Sequence, residues 1–366
     1  MPKPSDPIPV NEWKSRIRTR PTTRLERASS IVLQTFDDPT GARRRYRLRR
    51  SAGRLEVLAA SREIGKHSFP PSIKAVGVGT RALKGVEDHS AGRYQPHLAL
   101  RSEPSRLPKS LERPPFLWTP QGRRWPNRGL PTSVFAPDTR YTFADTSFPW
   151  CTCGRVDTGA GWGSGVMVGP RHVMTASHVV NWGSGSSAGW LKFTPLFFDG
   201  STPFGSAYAI RTYFWLKADG SDGINAKECA FDYVVCVLDS RLGNLTGWMG
   251  SRGYSTSWNG GSYWAHVGYP SDMSGGQRPA YHGPGKMDST FTRSTSGRSS
   301  YGIKHKNDVW PGQSGGPFFG WWEGEAWPRV VSSQSAEKWG GSTGPNTCGG
   351  GNPLPHLINY VRQQEP

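Results

Sequence analysis

Long apolar runs are missing from this chain of 366 residues, in which 35% are hydrophobic and the mean hydropathy is −0.59. No stretch nears the roughly 18 to 20 consecutive apolar residues that carry a helix across a bilayer, so no membrane span of that kind is expected. Cysteine is scarce as well. Five in the whole chain are too few for a dense disulfide scaffold, and an odd number leaves at least one thiol unpaired within the chain. The opening MPKPSDPIPVNEWKSR lacks the apolar centre of a secretory leader, so no signal segment is read at residue 1. What is plentiful is Gly at 46, Pro at 31 and Trp at 16. Gly and Pro break helices and aromatic residues favour sheets, which argues against a helical bundle and for an all-β domain with a sizeable core.

The formal net charge of +18 is unevenly spread. Residues 1 to 130 hold 27 Lys and Arg against 11 Asp and Glu, whereas the remainder holds 18 against 16. That first third also contains 3 of the 16 Trp and 9 of the 46 Gly, so two regions of different chemistry share one chain. Its short apolar pieces, IVLQTF and RLEVLAA, are separated by Arg clusters such as ARRRYRLRR at 42 to 50. From about residue 101 it turns Pro- and Arg-rich and reads as an extended linker. Two readings of the region stay open: an arm that binds nucleic acid or an anionic surface through its Arg, and a pro-segment that masks the domain after it. A solvated tail is the plain alternative.

Beyond Ser133, short apolar runs alternate with Gly, Ser, Asn and Pro: SGVMVG (164–169), HVMTASHVV (172–180), YVVCVLD (233–239), YWAHVGYP (263–270) and RVVSS (329–333). They are too short for helices and rich in β-branched and aromatic residues, which predicts strands of an antiparallel sandwich or barrel. PLPHLINYVRQQ has apolar residues at 354, 357, 358 and 361, a helical spacing that predicts one C-terminal helix.

Three segments carry chemistry when taken together: TASHVV with His178, FDYVVCVLD with Asp232, and WPGQSGGPFFG with Ser314. A serine hydroxyl is a poor nucleophile until an imidazole takes its proton. A carboxylate on the far ring nitrogen fixes the tautomer and stabilises the imidazolium that forms. Backbone N–H groups in a tight glycine turn can stabilise a tetrahedral oxyanion. Alone, each segment has a plainer reading: a structural His, an Asp that ends a turn, a glycine-rich loop. The ordered set, with gaps of 54 and 82 residues, is far harder to obtain by chance.

With these motifs the chain resembles the chymotrypsin-fold serine peptidases over about residues 133 to 362, and within them the microbial glutamyl-endopeptidase-like branch. APDTRYTFADTSFPW resembles the start of that branch's mature chain, and HVGYPSD its mid-domain segment. The resemblance implies two six-stranded antiparallel β-barrels over residues 131 to 366, with residues 1 to 130 in the place of a pro-segment that inhibits its own domain. It implies Ser314 as nucleophile, His178 as general base and then acid, Asp232 as orienting carboxylate, and the N–H groups of Gly312 and Ser314 as oxyanion hole. The substrate is a protein or peptide, paired as an added strand near Ser332, Ser333, Gln334 and Ser335. An extracellular location follows from the resemblance, against the missing leader. No cofactor and no metal are expected, since Cys151-x-Cys153 lacks further ligands at metal-like spacing.

The chain also departs from the wider family. Gln313 stands where many relatives have an Asp that pairs with a freed N-terminal amine, and Val179 and Trp310 stand where Cys is usual, so two familiar disulfides are missing. Cys151, Cys153, Cys229, Cys236 and Cys348 pair otherwise or remain free. Ser332, Ser333 and Gln334 occupy the strand in which glutamyl enzymes use a His, which puts a Glu preference in doubt. Asp308, six residues before Ser314, reads either as a pocket acid for Arg or Lys or as a turn residue; His305 is nearby. The rival reading of the whole chain is a non-catalytic barrel scaffold with an Arg-rich binding arm.

Overall fold

The computed structural model describes residues 134–366 apart from 136, 221–222, 326 and 337–343, and in the first third residues 6–9, 31–37, 43–51, 54–60, 73–78 and 90–91. The Pro- and Arg-rich stretch from residue 101 to 130 lies outside the described residues.

Six strands close a first antiparallel barrel. Around it run Leu191–Pro195, Cys153–Thr158, Gly161–Gly169, His172–Thr175, Val234–Leu238 and Ala207–Phe214, the last pairing back to the first. The two apolar runs picked out in the sequence are neighbours here, with Thr175 opposite Val234 and His172 opposite Val237. Every residue of both strands is buried, which is why they read as continuous apolar runs and not as an alternation. Val156, Met167, Val173, Leu191, Phe193, Ala207 and Cys236 fill the interior. Gly154 is required by that packing, since a Cβ there would lie 2.5 Å from the Phe193 ring.

The C-terminal half forms a second sheet in the order Met287–Thr295, Arg298–His305, Asn346–Gly350, Arg329–Gln334, Pro317–Trp322, Trp264–Gly268, Ala280–Gly285 and Tyr141–Thr142. Its core is aromatic: Trp258, Trp264 and Trp322 pack ring against ring, and Tyr254 packs on Trp258 and Trp264. Each of these rings removes a large apolar area from water, and Trp150, Trp215 and Trp321 do the same in the neighbouring cluster. The two halves together form the chymotrypsin-like double-barrel architecture that the resemblance implies.

The expected helix is Pro353–Gln364, with Pro at its start, where the missing N–H costs nothing. Leu354, Leu357, Ile358 and Val361 are all buried, and they pack with Val166, Val168, Val235 and Val237 of the first barrel. The helix therefore ties the end of the chain back onto the N-terminal barrel.

Described pieces of the first third join both sheets. Ile73–Gly77 lies parallel to Ala207–Phe214, from Lys74 opposite Arg211 to Gly77 opposite Phe214, and antiparallel to Ser187–Ala188. Pro7–Ile8 pairs with Trp321 and Trp322, and Ser90–Ala91 with Ser251 and Arg252. Ile31–Asp37, Arg43–Ser51 and Arg54–Ala60 form a separate three-stranded sheet.

Candidate active site

His178 lies on a short 3-10 turn, Ser177–Val179, immediately after the strand His172–Thr175. The turn is held by its neighbours: Ala218 N donates to Ser177 Oγ at 2.9 Å, and Trp182 Nε1 donates to Ser177 O at 2.9 Å. Asp232 lies between the helical turn Ala226–Ala230 and the strand Val234–Leu238. That turn starts with a capping box, in which Asn225 accepts from Lys227 N and Glu228 N while Glu228 accepts from Asn225 N.

These two elements bring the side chains together. Asp232 Oδ2 accepts from His178 Nδ1 at 2.6 Å, and Oδ1 accepts from the His178 backbone N–H at 3.0 Å. The carboxylate is fully buried, while 19% of the His178 side chain remains exposed. A third donor comes from the second sheet, where Ser335 Oγ gives its hydrogen to Asp232 Oδ2 at 2.6 Å. A buried carboxylate with three donors remains an acceptor, so Nδ1 carries the ring hydrogen. Nε2 is then left with a lone pair able to take a proton.

Ser314 lies in the turn that enters the strand Pro317–Trp322. Gly312 and Gly315 have φ of 100° and 82°, a left-handed backbone that favours glycine. Gln313 N donates to Trp310 O at 3.0 Å, Gly315 N to Gln334 O at 2.9 Å and Gly316 N to Gln313 O at 2.9 Å. Ser164 of the first barrel holds the turn from outside: its N–H donates to Ser314 O at 2.7 Å and its hydroxyl to Gly312 O at 2.8 Å. Gly163 marks how near the Ser314 turn comes to the His178 turn. A Cβ on Gly163 would meet Val179 Cγ2 at 2.7 Å and Ser314 O at 2.8 Å.

The remaining sequence candidates have separate partners. Ser332 Oγ donates to Cys348 Sγ at 3.2 Å in the core of the second sheet. Ser333 Oγ is buried with no partner among the described residues. Gln334 Oε1 accepts from His305 Nε2 at 3.1 Å, and Asn307 N donates to His305 Nδ1 at 3.3 Å, which assigns the tautomer. Burial pushes His305 down to about 3, so the ring is neutral. Asp308 is buried and engaged by the chain just before the first barrel: Oδ1 accepts from Phe135 N at 2.8 Å, and Oδ2 from Thr139 N at 3.2 Å and Thr139 Oγ1 at 3.3 Å.

All five cysteines are free and buried. Among the described residues, no group of three or more His, Cys, Asp or Glu is arranged to hold a metal ion. No described helix is long and apolar enough to cross a membrane. Sequence reading missed Ser164, which sits in an ordinary strand run, and the role of the Ser335 hydroxyl. Only its distance to Asp232, 103 residues away in the chain, singles out the latter.

No protein-family profile matches the chain. Over 189 residues it is 29% identical to a glutamyl endopeptidase of Bacillus licheniformis, a match covering 51% of this chain and 54% of that protein. The chain thus spans about half the length of this curated relative. Among solved structures, a Glu endopeptidase in complex with MPD superposes with a TM-score of 0.50 at 20% identity, covering 63% of this chain and 100% of the other. The protease Anisep from Arthrobacter nicotinovorans superposes with a TM-score of 0.40 at 19% identity, covering 58% and 93%. The fold is thus the chymotrypsin-like one of that solved Glu endopeptidase, and in sequence the chain is similar to a glutamyl endopeptidase.

Proposed function

We propose that this chain is a serine endopeptidase that cleaves peptide bonds through an acyl-enzyme on Ser314. The observation that carries this reading is the buried Asp232 carboxylate at 2.6 Å from His178 Nδ1, beside a glycine turn that presents Ser314. His178 Nε2 takes the hydroxyl proton as Ser314 Oγ attacks the scissile carbonyl. The N–H groups of Gly312 and Ser314 receive the oxyanion, His178 returns the proton to the leaving amine, and water then repeats the sequence on the acyl-enzyme. Substrate lies as an added strand along Ser332 to Ser335, the segment whose Ser335 hydroxyl also steadies Asp232.

Residues 1 to 130 act as a pro-segment of the peptidase domain 131–366, in a protein made for the outside of the cell. Their excess of 27 basic over 11 acidic residues favours a second reading, in which the arm binds a polyanion and the barrel is its scaffold. That reading expects salt-dependent heparin or DNA binding that is lost when residues 1 to 130 are deleted, without any hydrolysis.

Incubating the full-length chain and residues 131–366 with a mixed peptide library, read by mass spectrometry beside the Ser314→Ala variant of each, tests the proposal. Cleavages that vanish with Ser314→Ala are expected, and Asp232→Asn is expected to lower turnover by about 10⁴ through the wrong imidazole tautomer. Normal cleavage by Ser314→Ala, or none by either wild-type form, would refute it.

A further inference from the structure

Gln313, the residue immediately before Ser314, is fully buried, and its side-chain oxygen has two donors. Trp310 N donates to Oε1 at 2.9 Å from within the same turn. Arg140 Nη1 donates to it at 2.9 Å from 173 residues earlier in the chain. The Arg140 side chain has no exposed surface. A buried guanidinium needs compensation, and two carboxylates supply it. Asp138 accepts from Arg140 Nε at 3.1 Å and Nη2 at 2.9 Å, and Asp272 accepts from Nη1 at 3.3 Å and Nη2 at 2.5 Å. The guanidinium holds the Asp138 carboxyl below the usual carboxylate range. Packing leaves the Gln313 side chain little freedom: a Cβ on Gly268 would lie 2.9 Å from both its Cβ and its Cγ.

We propose that Arg140 is a positioning residue for the Ser314 turn, acting through the Gln313 side-chain oxygen. The inference rests on the reading of Ser314 as nucleophile. A planar guanidinium with five donors in a fixed fork can span two carboxylates and an amide oxygen at once, which a single ammonium cannot. The fork fixes Gln313, and Gln313 fixes the backbone on which the Gly312 and Ser314 N–H groups sit. Relatives that use a freed chain end for this purpose need an acid next to the serine. Here the cation is an internal side chain at position 140, so the turn is formed whether or not the chain before residue 131 has been cut.

The test uses the full-length chain with p-nitrophenyl acetate, an ester small enough to reach Ser314 past a covering segment. Gln313→Leu removes the oxygen shared by Arg140 and Trp310. It should lower kcat about 10- to 100-fold with KM changed less than about threefold, since the oxyanion donors act in the transition state. Gln313→Glu keeps an acceptor for both donors and should restore kcat to within about threefold of wild type. Arg140→Lys, which retains the charge and loses the fork, should show the same fall in kcat as Gln313→Leu and serves if that variant does not fold. Wild-type kcat in a folded Gln313→Leu or Arg140→Lys overturns the proposal, as does an equal loss in Gln313→Leu and Gln313→Glu. Wild type with no more esterase activity than Ser314→Ala removes the nucleophile reading itself and this inference with it.

Discussion

The amide of Ser164 donates to the carbonyl of Ser314 at 2.7 Å, so one residue of the first barrel grips the Ser314 turn of the second sheet. The same residue gives its hydroxyl hydrogen to Gly312 O at 2.8 Å and accepts from Tyr269 N at 2.8 Å. Its own carbonyl accepts from Thr175 Oγ1 at 2.7 Å, in the strand that leads to His178. Ser164 thus fixes the spacing between the two halves at the point where the histidine and serine elements meet.

Ser164→Ala leaves the amide of Tyr269 and the carbonyl of Gly312 without that hydroxyl. A buried donor deprived of its acceptor costs about 1–3 kcal/mol, and the Gly312 end of the turn loses its outer support. Urea unfolding should show a loss of that size, and ester turnover should fall at least about tenfold. Wild-type stability and turnover together would show that the bridge is idle.

Acid should destabilise the fold well above the carboxylate range. Burial pushes His172 down to about 4 and His266 and His305 down to about 3, against 6.5 for an exposed ring. Unfolded, each takes up a proton as pH falls through about 6.5, while the folded forms stay neutral until about 3 to 4. Their contribution is therefore fully present above about pH 6.5 and is lost as pH falls through this window. Stability should drop between pH 6.5 and 4.5 by up to about 1.4 kcal/mol per pH unit for each histidine, read from the urea midpoint. His305→Gln should make that slope shallower by one proton; an unchanged slope would contradict the assignment.

The five thiols should be silent in the folded protein. Burial pushes Cys153, Cys229 and Cys236 up to about 12, and Cys151 and Cys348 are also raised. A thiol-disulfide reagent at pH 8 should react slowly with native protein and rapidly with five groups after denaturation, and reductant should leave the melting temperature unchanged. Fewer than five groups after denaturation without reductant would reveal a disulfide.

The sequence by itself determined what depends on neighbours along the chain. Residues 354, 357, 358 and 361 repeat with the period of a helix, and they are the buried face of Pro353–Gln364. HVMT and VVCVL read as strands because each is a short apolar run, and both line one barrel wall. The order of His178, Asp232 and Ser314 and their turn residues was equally legible. Only the tertiary structure decided the partners of each polar group. Asp308 could be a pocket acid or a turn residue by sequence; it takes hydrogens from Phe135 and Thr139, 173 and 169 residues away. Five cysteines left several pairings open, and the fold buries all of them as thiols. Ser335 and Arg140 carry no local signal, because a hydroxyl or a guanidinium becomes specific only when folding brings an unpaired buried acceptor within about 3 Å. Hydrophobic periodicity is written every two to four residues, whereas buried polar satisfaction is settled across a hundred or more.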